Sequence, residues 1–424
     1  MMTEEKPNGS TIFVREAEYQ PPRSWRTWLI GRPLQTADAP HQTIGKMIGL
    51  AVFASDALSS TAYATQEMLV ILVLAGTTAF HLAFPLTIGI VVLLAALTLS
   101  YEQTIHAYPN GGGAYIVSRD NLGDFPAEVA AAALLTDYIL TVAVSVSSGV
   151  AQITSAFESL YPYRVIISVT MVLLIMMINL RGVKESGKAF AIPTYFFVLM
   201  MYTTVIVGLV KYFTGHLGTL IDPPDIEMIH AAQGLSAFLI LRAFSSGTTA
   251  LTGVEAISNG IPAFKEPRSK NAGQTLVAMS FILGSLLLVI TFLAVKITAV
   301  PSATETVISQ LARTVYDSRG IFYLLTIVAT TVILIMAANT SFADFPRLSA
   351  LTAVDGYLPR QFTYRGSRLV FSRGIMALAG IASILIIIFK ASVTRLIPLY
   401  AIGVFLSFTL SQFADDLLAF MDSH

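Results

Sequence analysis

Of the 424 residues, 54% are hydrophobic and only 12% are charged, against roughly 25% charged in an ordinary soluble domain, and the mean hydropathy is +0.70. A soluble fold of this size cannot hide so much apolar surface, whereas a bilayer need not hide it at all. Lys plus Arg and Asp plus Glu balance at 26 each, cysteine is absent, and the six histidines form no His-x-x-x-His pair. Charge therefore argues for no nucleic-acid partner, and disulfide, thiolate and zinc chemistry are excluded.

Residues 1–41 are polar and Pro-rich, and carry Arg15, Arg23, Arg26 and Arg32. No short apolar run precedes a small-residue cleavage site, so they read as a cytoplasmic N-terminal tail rather than a signal peptide. From residue 42 to 413 the chain reads as a transporter core. Apolar runs of about 20 residues, the length that crosses a membrane, are found at Ile44–Ala75, Phe84–Ala107, Ala127–Ala156, Val165–Leu180 and Ala189–Phe213. Five more follow at Leu235–Ser258, Leu276–Ile297, Ile321–Phe342, Ile375–Phe389 and Leu396–Phe413. Turn residues separate them, as in Asn110-Gly111-Gly112-Gly113, Asp222-Pro223-Pro224 and Ala263-Phe264-Lys265-Glu266-Pro267. The tail and the even-numbered loops hold more than twice the Lys and Arg of the opposite loops, which places the N-terminus in the cytoplasm.

Two spans look interrupted. The first is broken around Ser55-Asp56-Ala57-Leu58-Ser59-Ser60, and the sixth around Ser245-Ser246-Gly247-Thr248-Thr249, followed by Thr252-Gly253. Interrupted segments at matching positions of two halves point to a carrier with inverted repeats, here spans one to five and six to ten. Small residues also let helices pack closely, but packing alone does not account for carboxylates at both breaks.

Asp56, Asp137 and Glu255 all fall within apolar spans, each at a cost of about 2.5–3.5 kcal/mol on insertion scales. Tyr63 lies two turns beyond Asp56, Asp137 and Thr141 share a helix face at i,i+4, and Thr252 and Glu255 share one at i,i+3. All six side chains present oxygen. Hard oxygen donors suit an alkali cation or a proton-coupled site. One monovalent cation does not neutralise three ionised carboxylates, so one of the acids is a candidate proton carrier.

Other polar groups in the spans carry less. Glu67 is a candidate gate or vestibule residue, and Tyr400 a candidate further ligand or an interfacial tyrosine. Glu102 and His106 form an i,i+4 pair of structural character, and Arg242 is expected to pair with an acid or with backbone carbonyls.

The segment from Ser55 through Asp56, Tyr63 and Ala64 resembles the first-helix signature of the KimA-type potassium importers, within the amino acid–polyamine–organocation superfamily. Thr136-Asp137-Tyr138-Ile139-Leu140-Thr141 and Thr249-Ala250-Leu251-Thr252-Gly253-Val254-Glu255 are similar to the matching third- and sixth-helix motifs. Tyr108-Pro109-Asn110-Gly111-Gly112-Gly113-Ala114-Tyr115 and Pro398-Leu399-Tyr400-Ala401-Ile402-Gly403-Val404-Phe405 resemble the segment after the second helix and the tenth helix. The resemblance runs in order from Ile44 to Gln412.

It implies an all-α polytopic membrane protein with a LeuT-like fold, two inverted five-helix repeats and discontinuous helices 1 and 6. It further implies secondary active import of potassium by proton symport, with potassium as substrate, the proton as coupling ion and no cofactor. By motif position, potassium is coordinated by Asp56, Tyr63, Asp137, Thr141, Thr252 and Glu255. The alternative within the superfamily is a proton-coupled amino acid or polyamine permease. An amino acid's carboxylate, however, would meet Asp56 at a break that contains no glycine. Family members continue into two more membrane helices and a nucleotide-sensing domain that supports a homodimer. Residues 414–424 do not resemble that continuation and read as a short C-terminal tail. The homodimer and regulation by cyclic dinucleotide therefore do not carry over to the residues present here. No nucleotide loop, nucleophile elbow or metal cluster suggests an enzyme.

Overall fold

The computed structural model describes residues 44–109, 111, 113–181, 187–226, 234–364 and 371–422. The N-terminal tail, along with Asn110 and Gly112 of the Gly-rich segment, lies outside the described residues. Apart from an isolated backbone bridge between Ile44 and Phe264, the regular structure described is helical.

Eight helices among the described residues are long and apolar enough to cross a membrane: Lys46–Ala75, Thr77–Ala107, Asp124–Ala156, Glu158–Leu180, Ala191–Phe213, Ala237–Asn259, Arg268–Lys296 and Ile321–Val354. Two shorter apolar helices, Ser372–Ile388 and Val393–Leu406, stand where the ninth and tenth spans are expected, and the latter helix continues to Asp422. Several spans begin by placing proline where it costs least. Pro85 and Pro126 fall in the first turn of their helices, where the backbone N–H has no intrahelical partner in any case.

The packing shows how the two halves relate. The first span packs on the sixth, the second on the seventh, the third on the eighth and the fourth on the ninth. The fifth span packs on the first and the eighth, and the tenth correspondingly on the sixth and the third. Exchanging spans one to five for six to ten preserves this pattern, as a two-fold relation between repeats requires. Five is an odd number of crossings, so the second repeat starts from the opposite membrane face and is inverted. The most apolar stretch of the first span is enclosed by protein, while most of that of the fourth faces outward.

Both breaks exist: the first lies about one turn beyond the position expected from the sequence, while the sixth unwinds at the expected Thr252-Gly253, beyond a Ser245–Thr249 stretch that stays helical. The first helix continues through the Ser55–Ser60 stretch as far as Ser59 and yields at Ser60–Tyr63, where Tyr63 adopts φ −125° and ψ −23°. The sixth continues to Gly247, tightens through Thr248–Leu251, and unwinds at Thr252 (ψ 146°) and Gly253 (φ 79°) before resuming at Ala256. The hydroxyls explain the shift. Ser59 and Thr61 donate to the carbonyls of Asp56 and Leu58 at 2.7 and 2.8 Å, and Thr248 and Thr249 to those of Ser245 and Ser246 at 2.7 Å. Hydroxyls bonded back to their own preceding turn need no partner elsewhere, so such a run can stay within a helix, which it tends to bend.

Candidate functional site

The two unwound segments cross at the centre of the bundle. Ser60 Oγ, on the first, donates to the carbonyl of Ala250, on the sixth, at 2.7 Å. Gly253 passes directly over Asp56: a Cβ added there would stand 2.8 Å from Asp56 Oδ2 and 2.9 Å from the Ala57 nitrogen. Its left-handed φ and this close approach both require glycine. The break thereby brings Thr252 and Glu255 beside Asp56.

The third span completes the far wall. Asp137 and Thr141 point inward from one face, and the tenth span lies against them. A Cβ at Gly403 would sit 3.7 Å from the Asp137 nitrogen, and the Tyr400 hydroxyl lies 3.1 Å from Thr141 Oγ1. Tyr63 stands beside Thr252 and Tyr400, with Asp56 and Asp137 as its charged neighbours. Glu255 is the principal charged neighbour of both Asp56 and Asp137.

All six residues of the oxygen set, and Tyr400 with them, are buried. Burial normally obliges a polar atom to find a partner. Here Asp56 Oδ1, Asp137 Oδ1, Glu255 Oε2 and the Tyr63 hydroxyl have none. Four such atoms in one small volume is a concentration of unused acceptors that a stable core would not retain. The chemistry it fits is a cation bound by oxygen. Among the described residues, however, no three acidic or histidine side chains converge closely enough to hold an ion unaided. A cation there draws on hydroxyl and backbone oxygens as well as carboxylates.

Two side chains that the sequence reading did not select for the site face this region. Asp344, on the eighth span, is a charged neighbour of Asp56 and Glu255 and lies 3.8 Å from Arg347. It falls just beyond the apolar run that ends at Phe342, but the helix continues to Val354. Only the helix length, not hydropathy, could have flagged it. Tyr138, next to Asp137, has Asp344, Glu255 and Asp56 as neighbours.

Glu67 stands outside the cluster. It is buried in the second half of the first span, accepts a hydrogen bond from Thr394 at 3.1 Å, and lines a separate cavity of about 700 Å³ between the first, sixth and tenth spans. Arg242 lines the same cavity. Contrary to expectation, it forms no hydrogen bond or ion pair with any described residue. His106 bonds the backbone carbonyl of Glu102 at 2.8 Å through Nδ1, rather than its carboxylate.

Residues 42–414 match the amino acid permease family. The potassium transporter KimA of Bacillus subtilis is 48% identical over 391 residues, which are 92% of this chain; the chain spans 64% of that relative's length. Cationic amino acid transporter 6 of Arabidopsis thaliana, a chloroplast protein, is 27% identical over 45% of this chain and 33% of its own. Among solved structures, a manganese transporter from Eremococcus coleocola aligns with 92% of this chain and 79% of its own at 14% identity, with a TM-score of 0.36. The family match takes in all ten crossings together with both unwound segments, and the chain belongs to the amino acid permease family.

Proposed function

We propose that this chain forms the transport core of a secondary active potassium importer of the cytoplasmic membrane, driven by proton symport, with its N-terminus in the cytoplasm. The observation that carries this reading is the set of four buried, unpartnered oxygens on Asp56, Asp137, Glu255 and Tyr63 where the two unwound segments cross. Potassium sheds its water only where other oxygens replace the hydration shell. Thr141, Thr252 and Tyr400 add hydroxyls to the same volume. The 48% identical relative is a potassium transporter, which supports potassium as the ion that the geometry leaves open.

Asp56 and Glu255 face each other across the crossing and hold the ion. Asp137 is the proton-linked acid: a bound potassium ion offsets one negative charge, so an occupied site retains at least one carboxyl in protonated form. Release of that proton to the cytoplasm couples the proton gradient to inward potassium movement. The alternative is a proton-coupled amino acid or polyamine permease; the more distant relatives are named as cationic amino acid transporters, which supports the amino acid form of it.

Uptake in cells lacking their own importers tests the proposal, with micromolar potassium outside. The chain should restore saturable uptake that collapses with an uncoupler, and Asp56→Asn should abolish it while the protein still inserts. Uptake of arginine or putrescine without potassium uptake would replace this reading with the permease. An Asp137→Asn protein that keeps full, uncoupler-sensitive uptake would move the proton to another acid, with Asp344 the first to examine.

A further inference from the structure

The cavity of about 700 Å³ between the first, sixth and tenth spans is separate from the crossing of the unwound segments and holds none of the six residues of the oxygen set. Two arginines line it. Arg242 lies five residues into the helix Ala237–Gly247, and Arg395 two residues into the helix Val393–Asp422. Both helices are even-numbered spans and so start from the same membrane face. The two guanidinium groups therefore sit within the opening two turns of their helices, at the level where lipid headgroups meet the hydrocarbon.

Neither guanidinium has a hydrogen bond or an ion pair among the described residues. An arginine beside lipid normally finds a partner within the protein or reaches the headgroup layer. Glu67, on the same wall, is already engaged by Thr394. The remaining lining is largely apolar, with Phe389, Ile397 and Phe405 among it, and the cavity opens where Ile388 and Ile402 are 63% and 67% exposed on the outer surface of the bundle. A charged rim above an apolar, outward-opening wall fits a molecule with an anionic head and hydrocarbon tails.

We propose that this cavity is a binding site for an anionic phospholipid, with Arg242 and Arg395 on its phosphate. Guanidinium groups take phosphate in bidentate fashion, and the helix N-termini that carry them favour negative charge. The acyl chains continue over Ile397 and Ile402. This site does not depend on what the carrier transports.

The test is native mass spectrometry of the full chain released from nanodiscs holding equal phosphatidylglycerol and phosphatidylcholine. The wild-type protein should retain phosphatidylglycerol in preference, by about five-fold for each arginine. The double variant Arg242→Gln, Arg395→Gln should fall to parity, and Arg242→Lys should keep most of the preference. If the double variant inserts poorly, Arg395→Gln alone suffices, because that side chain is exposed and should still lose about five-fold. Equal retention of the two lipids by the wild type, or a preference that survives in the glutamine variants, would overturn the proposal. So would millimolar inorganic phosphate stabilising lipid-free wild type but not the variants in the absence of any lipid preference, since the site would then serve a free anion.

Discussion

Gly253 is the residue on which the candidate site depends most directly. Its φ of 79° and the contact with Asp56 that any Cβ would make are separate obstacles to every other amino acid. Strain of this kind costs about 1–3 kcal/mol, enough to separate the two unwound segments. Gly253→Ala should lower potassium uptake about ten-fold or more, since each 1.4 kcal/mol is a factor of ten, while insertion persists. Normal uptake by that variant would mean that the segments do not meet as closely as the structure has them. Tyr400 should behave differently. Its hydroxyl makes one hydrogen bond, to Thr141, and such a bond is worth about 1 kcal/mol. Tyr400→Phe is therefore expected to raise the half-saturating potassium concentration several-fold, not to abolish uptake, and a uptake titration separates the two outcomes.

At the scale of elements, the outer helix Val307–Val315 is fixed by charge. Glu305 is buried, and Arg313 meets it with two nitrogens at 2.8 and 3.2 Å while also donating to the carbonyls of Ile221 and Asp222. Removing one partner of a buried pair costs about 3–5 kcal/mol, because the other charge is stranded. Arg319 remains 3.5 Å from Glu305, so Arg313→Ala should fall at the low end of that range. A thermal-unfolding measurement in detergent checks it; an unchanged midpoint would show that Arg319 carries the pairing by itself. The same scale shows what a polar run does not reveal. The Ser/Thr clusters before each break satisfy themselves on the preceding turn, so composition located the first break only to within one turn, whereas Gly253 marked the second.

At the scale of the whole molecule, the proposed orientation follows from loop charge alone and is open to direct test. Because the chain has no cysteine, a single introduced one is the only thiol. Ala303→Cys, in the loop after the seventh span, should react with a membrane-impermeant maleimide in intact cells. Gln361→Cys, after the eighth, should react only once the membrane is opened. The reverse pattern would invert the molecule, and with it the proposed direction of transport.

Local features of the chain were enough to read a membrane as the solvent, the eight long apolar spans, two interrupted spans and the buried oxygen-bearing residues around them. Each of these follows from quantities local to the chain: the length of an apolar run, helical spacing, and the cost of a carboxylate in lipid. Tertiary structure decided which of those residues meet. Asp56 reaches Glu255 only because a left-handed glycine lets one unwound segment pass over the other, and Thr141 reaches Tyr400 because the tenth span packs on the third. It also decided what local reading misplaced. Asp344 enters the acid neighbourhood because its helix outlasts its apolar run, and Arg242 faces a cavity without a partner among the described residues, the acid on that wall, Glu67, being bonded to Thr394. Contacts between residues a hundred or more positions apart depend on how helices pack, and neither hydropathy nor spacing along the chain contains that information.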